Sequence, residues 1–177
     1  MEDDDQLRER FERVFHEHHA AVCAYAFRRA DRATAQDAVS ETFLIAWRRC
    51  SELPAEPLPW LLSTARRVLA NQRRASDHQR SIERRLATDA VTQTSDPADS
   101  LGYASACRAA LERLGERDRE TLMLLAWEEL DRHAAAGAIG CSRATFAVRL
   151  HRARHRFRAE LAAGGFEAAT LDTMEPA

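Results

Sequence analysis

No apolar run in this sequence approaches the roughly 20 residues a bilayer-crossing helix needs, and the opening Met1-Glu-Asp-Asp-Asp has the wrong charge for a secretory signal. Both absences predict a cytoplasmic location without membrane insertion. Cysteines are few and scattered: Cys23, Cys50, Cys107 and Cys141 each fall within a helical pattern. That spacing predicts small buried residues in a reducing compartment rather than a disulfide framework. Strand signals are essentially missing, so the chain reads as all-α. Lysine is missing altogether, since all 26 basic residues are arginine. Codon bias in a GC-rich genome explains that more simply than selection for guanidinium chemistry, although arginine does suit phosphate and guanine.

What remains fits one medium domain or two small ones: 177 residues, 45% hydrophobic, with a net charge of −2 and a pI near 6.4. The near-neutral total hides segregation, with acidic residues gathered in runs such as Met1–Asp5 and Thr88–Asp99. Arginine dominates elsewhere, above all between Glu128 and Arg158. There Asp131 can cap a short helix carrying Ala134, Ala135, Ala138 and Ile139 inward. Gly140 ends that helix because glycine takes the left-handed conformation without steric cost. Ser142 then caps a second helix. Helix, glycine turn and helix make a helix-turn-helix.

The second helix carries an apolar stripe of Phe146, Leu150, Ala153, Phe157 and Leu161 at three- and four-residue steps. Arg143, Arg149, Arg152, Arg154, Arg156 and Arg158 fill the remainder, with no acidic residue between Ser142 and Arg158. A solvated arginine helix would carry acidic partners at i±4. Without them, phosphate and base edges are the natural counter-ligand.

Upstream, Leu7 to Arg29 reads as an amphipathic helix with Phe11, Val14, Phe15, His18, Val22, Tyr25 and Ala26 inward. The cluster His16-Glu17-His18-His19 lacks the zinc-protease spacing, because Ala20 stands where the second histidine is needed. His19 and Cys23 are four apart but lack further ligands, so no metal is expected. His18 is read as packed, and His16 and His19 as solvated. Thr34 is placed as the N-cap of a helix over Ala35–Arg49. Its buried face is Ala35, Ala38, Val39, Thr42, Phe43, Ala46 and Trp47, and its outer face is Asp37, Ser40, Glu41, Leu44 and Arg48. Spacing alone leaves that outer face equally suited to solvent or to a docking partner.

The proline-rich Leu53–Pro59 cannot be helix. A third helix from about Trp60 buries Leu61, Leu62, Ala65, Val68 and Leu69. It exposes Arg66, Arg67, Asn71, Gln72, Arg73 and Arg74, with Trp60 placed to stack on a base. Thr88–Asp99 has linker composition. Helical periodicity resumes at Leu101, is interrupted at Gly115, and leads into the helix-turn-helix. The organisation expected is a first domain over 1–75, a flexible acidic linker over 76–100, a helix-turn-helix domain over 101–163 and a frayed tail over 164–177.

Two segments carry a family resemblance. Thr34-Ala-Gln-Asp-Ala-Val-Ser-Glu-Thr-Phe-Leu-Ile-Ala-Trp-Arg-Arg resembles the core-docking helix of the sigma-70 family's second domain. Leu114-Gly-Glu-Arg-Asp-Arg-Glu-Thr-Leu-Met-Leu-Leu, followed by Gly140-Cys-Ser-Arg-Ala-Thr-Phe-Ala-Val-Arg-Leu-His-Arg-Ala-Arg, resembles its fourth domain. Two such domains and a short linker resemble the extracytoplasmic-function group of sigma factors.

The resemblance implies an alternative sigma factor that binds core RNA polymerase and directs promoter-specific initiation, with no catalytic residue, metal or cofactor. It implies polymerase docking, through the clamp helices of the largest subunits, by Asp37, Glu41, Phe43, Leu44, Trp47 and Arg48. The minus-ten strand falls to Trp60, Arg66, Arg67, Asn71, Arg73 and Arg74, with loop Ser51–Pro59 capturing a flipped base. The minus-thirty-five duplex falls to Ser142, Arg143, Thr145, Arg149 and Arg152. The polymerase flap and an anti-sigma factor are further candidate partners. Ala147 and Val148 stand where many relatives place arginine or lysine and serine, removing bidentate base contacts there. The alternative is an autonomous helix-turn-helix regulator, which would bind a palindromic operator as a homodimer.

Overall fold

The computed structural model describes residues 2–86 and 103–165, with side chains over 5–76 and 104–165. Within them all regular structure is helical: α1 (Glu2–Phe27), α2 (Arg32–Arg48), a 3-10 turn (Cys50–Glu52), α3 (Leu58–Leu86), α4 (Tyr103–Arg113), α5 (Glu116–Ala126), α6 (Arg132–Ile139) and α7 (Arg143–Ala163). The all-α expectation holds. Contacts divide the chain into two compact units, built chiefly on α1–α3 and on α4–α7.

In the first unit α2 packs against both α1 and α3. Small residues let the helices approach: Ala35, Ala38 and Ala46 of α2 and Ala65 of α3 are fully buried beside Val22, Tyr25, Leu61 and Leu62. Thr42, fully buried in this core, donates its hydroxyl to Ala38 O at 2.6 Å, so its burial leaves no orphan donor. The start of α2 departs from the sequence expectation. Asp31, in extended conformation, is the N-cap, and its Oδ1 accepts from Thr34 N at 3.1 Å. Thr34 instead donates its hydroxyl to Asp31 Oδ2 at 2.7 Å. Both residues can cap, but aspartate caps better than threonine, and starting at Arg32 adds most of a turn to the helix.

Helix α3 begins at Leu58, so Leu58 and Pro59 of the expected loop are helical, as proline allows in a first turn. It continues to Leu86, so residues 76–86 are helical and the expected linker does not begin at residue 76. The remainder of that linker, and the tail from residue 166, lie outside the described residues.

In the second unit α5 and α4 pack on α7. Phe146, Leu150, Ala153 and Leu161 of α7 are buried, as the stripe predicts, whereas Phe157 is only half-buried. Arg119 ties α4 to α5 by donating to the carbonyls of Leu111, Glu112 and Leu114, filling the orphan acceptors at the α4 C-terminus. Arg113 closes the other side, with Nε 2.7 Å from Glu160 Oε2 and Nη2 donating to Glu160 O at 3.1 Å.

Candidate nucleic-acid and partner interfaces

The helix-turn-helix is built as the residues predict. Ala134 N donates to Asp131 Oδ1 at 2.7 Å at the head of α6. Gly140 adopts φ +77 at its end, and Ser142 Oγ accepts from Thr145 N at 3.2 Å at the head of α7. The bond from Ala134 holds the Asp131 carboxyl below its ordinary pKa, with smaller contributions from His133 and Arg143. The Thr34 bonds act likewise on Asp31. Within α6 the buried alanines are Ala135, Ala136 and Ala138, while Ala134 and Ile139 are half-buried.

The arginines of α7 do not share one face. At about 100° per residue, Arg149 and Arg156 fall on one flank of the buried stripe, and Arg143 and Arg154 on the other. Thr145, Val148 and Arg152 lie outward between them, and Val148 is 52% exposed. Arg143 and Arg152 are exposed and Arg149 is half-buried. The expectation that these arginines lack acidic partners fails at Arg156, which forms an ion pair with Asp118 of α5. That partner is 38 residues away and invisible to an i±4 rule. Arg143 donates its Nε to His133 Nδ1 at 2.9 Å, a contact no sequence periodicity signals. A groove of about 1010 Å³ runs beside this flank, lined by Leu111, Leu122, Leu125, Trp127, Phe146 and Phe157 among others.

On α2, Asp37, Glu41, Leu44 and Arg48 are exposed along one face. Trp47, expected in the core, is 44% exposed, and Phe43 is 5% exposed. Phe43 therefore supports the surface rather than forming it. Its ring meets Phe15 at 4.8 Å, edge to face, and Phe11 meets Trp47 at 5.1 Å in the same manner. Phe15, also expected inward, is 39% exposed and Leu44 is 48% exposed. An aromatic step thus flanks the acidic row, because the stripe of α1 is too wide for α2 to cover. His19 is not simply solvated: it stacks against Phe15 at 4.7 Å and lies 3.6 Å from Cys23 Sγ. Burial raises the Cys23 pKa. Of the four cysteines, all free, only Cys50 is buried, the others being half-buried.

On α3, Arg67, Asn71 and Arg74 are exposed at i, i+4 and i+7, as is Arg73, while Gln72, Arg66 and Trp60 are half-buried. Arg67 Nε and Arg74 Nε donate to the carbonyls four residues before them, at 3.3 and 3.2 Å, which lays both side chains along the helix. Arg73 Nη2 reaches Arg29 O at 2.6 Å. The proline loop is clasped from α1: Arg10 donates to Leu53 O and, at 3.4 Å, to Ser51 O. Leu53 is buried and so is Pro57. Arg10 stands in the sequence as one more surface arginine of α1, so nothing local marks it.

Comparison with known proteins identifies the fold. Residues 14–79 match the family model for Sigma-70 region 2. The ECF RNA polymerase sigma factor EcfG of Rhodopseudomonas palustris is 32% identical over 141 residues, covering 78% of this chain and 76% of that protein. The RNA polymerase sigma-E factor of Streptomyces coelicolor is 32% identical over 114 residues, spanning 62% of this chain and 63% of that relative. The sigma factor RpoE of Bartonella quintana, solved in complex with the anti-sigma factor NepR, shares the fold at TM-score 0.64 and 22% identity, covering 86% of this chain and 96% of that one. CnrH, solved with the cytosolic domain of CnrY, aligns at TM-score 0.57 and 20% identity, over 86% of this chain and 88% of that one. The chain belongs to the extracytoplasmic-function group of the sigma-70 family.

Proposed function

We propose that this protein directs core RNA polymerase to promoters with three surfaces spread over its two units. The observation that carries the reading is the exposed acidic row Asp37–Glu41, with Leu44 and Arg48, beside the aromatic step of Phe15 and Trp47. Exposed aromatics ringed by charge suit a protein partner, and the polymerase clamp helices are the partner this family docks on. Phe43, Phe11 and His19 hold that surface from beneath.

The basic face of α3, with Arg67, Asn71, Arg73 and Arg74, suits the melted minus-ten strand, because stacked arginines and asparagine grip single-stranded backbone without reading sequence. Trp60 and the clasped loop from Ser51 to Pro59 would receive a flipped base. In the second unit, α7 enters the minus-thirty-five major groove, with Thr145, Arg149 and Arg152 facing phosphates and base edges and Ser142 and Arg143 at its N-terminus. The apolar groove beside α7 suits an amphipathic segment of the polymerase flap or of an anti-sigma factor. The protein carries no chemistry of its own and works in the cytoplasm, where polymerase is. Binding two promoter elements through linked units raises the effective concentration of the second contact.

The test is pull-down of core polymerase followed by run-off transcription. Charge reversal of Asp37→Arg with Glu41→Arg should weaken core association at least tenfold while the helical content stays unchanged. Unaltered association would refute the docking surface and leave a DNA-binding module. A stable homodimer on a palindromic site, independent of polymerase, would instead establish the autonomous regulator.

A further inference from the structure

Arg143 occupies the first position of α7, where the Ser142 cap fixes the backbone and Thr145 N closes the first turn at 3.2 Å. Its Nε donates to His133 Nδ1 at 2.9 Å, and both side chains are exposed. Acceptance at Nδ1 requires the neutral ring with its proton on Nε2. A guanidinium holds five N–H donors in one plane. With Nε–H occupied, the donors on its two terminal nitrogens remain, and these make no hydrogen bond to another described residue. They form the fork that matches N7 and O6 of guanine. The charged groups around this pair are Asp131 and Arg132 beside His133, and Glu129 in the preceding turn, all lining the same groove. One turn further along α7, Ala147 and Val148 offer no side chain able to hydrogen-bond a base.

We infer that His133 is a positioning residue: its neutral ring holds Arg143 at Nε and presents the terminal nitrogens as a preformed fork for a guanine in the upstream promoter duplex. The inference rests on the reading of α7 as the duplex-reading helix. Holding the arm beforehand lowers the rotamer freedom lost on binding, and it assigns to Arg143 the base discrimination that Ala147 and Val148 do not supply.

The experiment is selection from a duplex library randomised over the upstream element, using holoenzyme reconstituted with the full chain. At pH about 8, wild type enriches guanine at one position, and both Arg143→Ala and His133→Leu flatten that preference by about tenfold, the scale of one bidentate pair. His133→Asn, whose Oδ1 can take the place of Nδ1, retains it. Circular dichroism melting of each variant separates loss of fold from loss of reading, and the asparagine arm decides the matter if His133→Leu unfolds. The inference is overturned if His133→Leu or Arg143→Ala keeps the preference, or if His133→Asn loses it. A holoenzyme that enriches no upstream sequence under any condition refutes the reading of α7 itself, a result distinguishable from those.

Discussion

Single residues decide how α2, α6 and α7 begin. Asp31 and Asp131 are fully exposed carboxylates whose pKa is lowered chiefly by the backbone amides of Thr34 and Ala134. A group with a lower pKa folded than unfolded stabilises the fold above its unfolded value, about 3.9 for aspartate, and ceases to do so as pH falls through the folded value. Thermal melting of wild type should therefore lose stability on acidification below about pH 4. In Asp31→Asn and Asp131→Asn, where an uncharged cap persists, that acid-induced part should shrink, as melts across pH 2–6 (roughly the aspartate range) would show. Ser142→Ala, by contrast, removes a hydroxyl cap at every pH and should cost about 1 kcal/mol, measurable as a drop in chemical-denaturation midpoint. These residues also mark how legible local structure was. Asp131, Gly140 and Ser142 take the roles their types and spacing indicate, because capping is settled within four residues of chain. Asp31 displaced Thr34 only because both stood within reach of the same helix start, and the better acceptor won.

At the scale of elements, outcome depends on which neighbour arrives. The loop between α2 and α3 is stiffened by proline, yet its position is set by Arg10 of α1, whose guanidinium takes the carbonyls of Ser51 and Leu53. Arg10→Ala should leave the helices intact and raise amide hydrogen exchange across residues 51–56. On the proposal that the loop serves the melted strand and not the docking face, it should also reduce open-complex formation more than core binding. Unchanged exchange would mean that Leu53 and Pro57 anchor the loop unaided. In the second unit, Leu150 is buried where α4 and α5 meet α7. Leu150→Ala should cost about 2–5 kcal/mol and, if the units unfold independently, lower only the transition belonging to α4–α7, which calorimetry resolves. Phe43 and Trp47 show the limit of periodicity: both belong to one stripe, four residues apart, but α1 covers Phe43 and stops short of covering Trp47.

For the molecule as a whole, a net charge of −2 contrasts with two arginine-bearing helix faces, and binding should depend steeply on salt only where those faces meet DNA. Removing one phosphate contact lowers the log–log salt slope by about 1. Arg149→Ala and Arg152→Ala should each produce that change in holoenzyme bound to promoter. Arg156→Ala should change it little, because Asp118 already neutralises Arg156. Equal slopes for all three variants would show that α7 lies against DNA along a different flank.

The sequence by itself determined the helices, the caps of α6 and α7, the helix-turn-helix, the acidic outer row of α2 and the arginine-rich helices. These follow from spacing and from chemistry confined to neighbouring residues, which a linear chain displays directly. Only the tertiary structure decided which aromatics stay exposed, which arginines are already paired, that Arg10 holds the proline loop and that His133 holds Arg143. Each of those depends on groups from different helices, or from opposite sides of a turn, meeting within a few ångströms. The periodicity of one helix says which way a side chain points and nothing about what waits there.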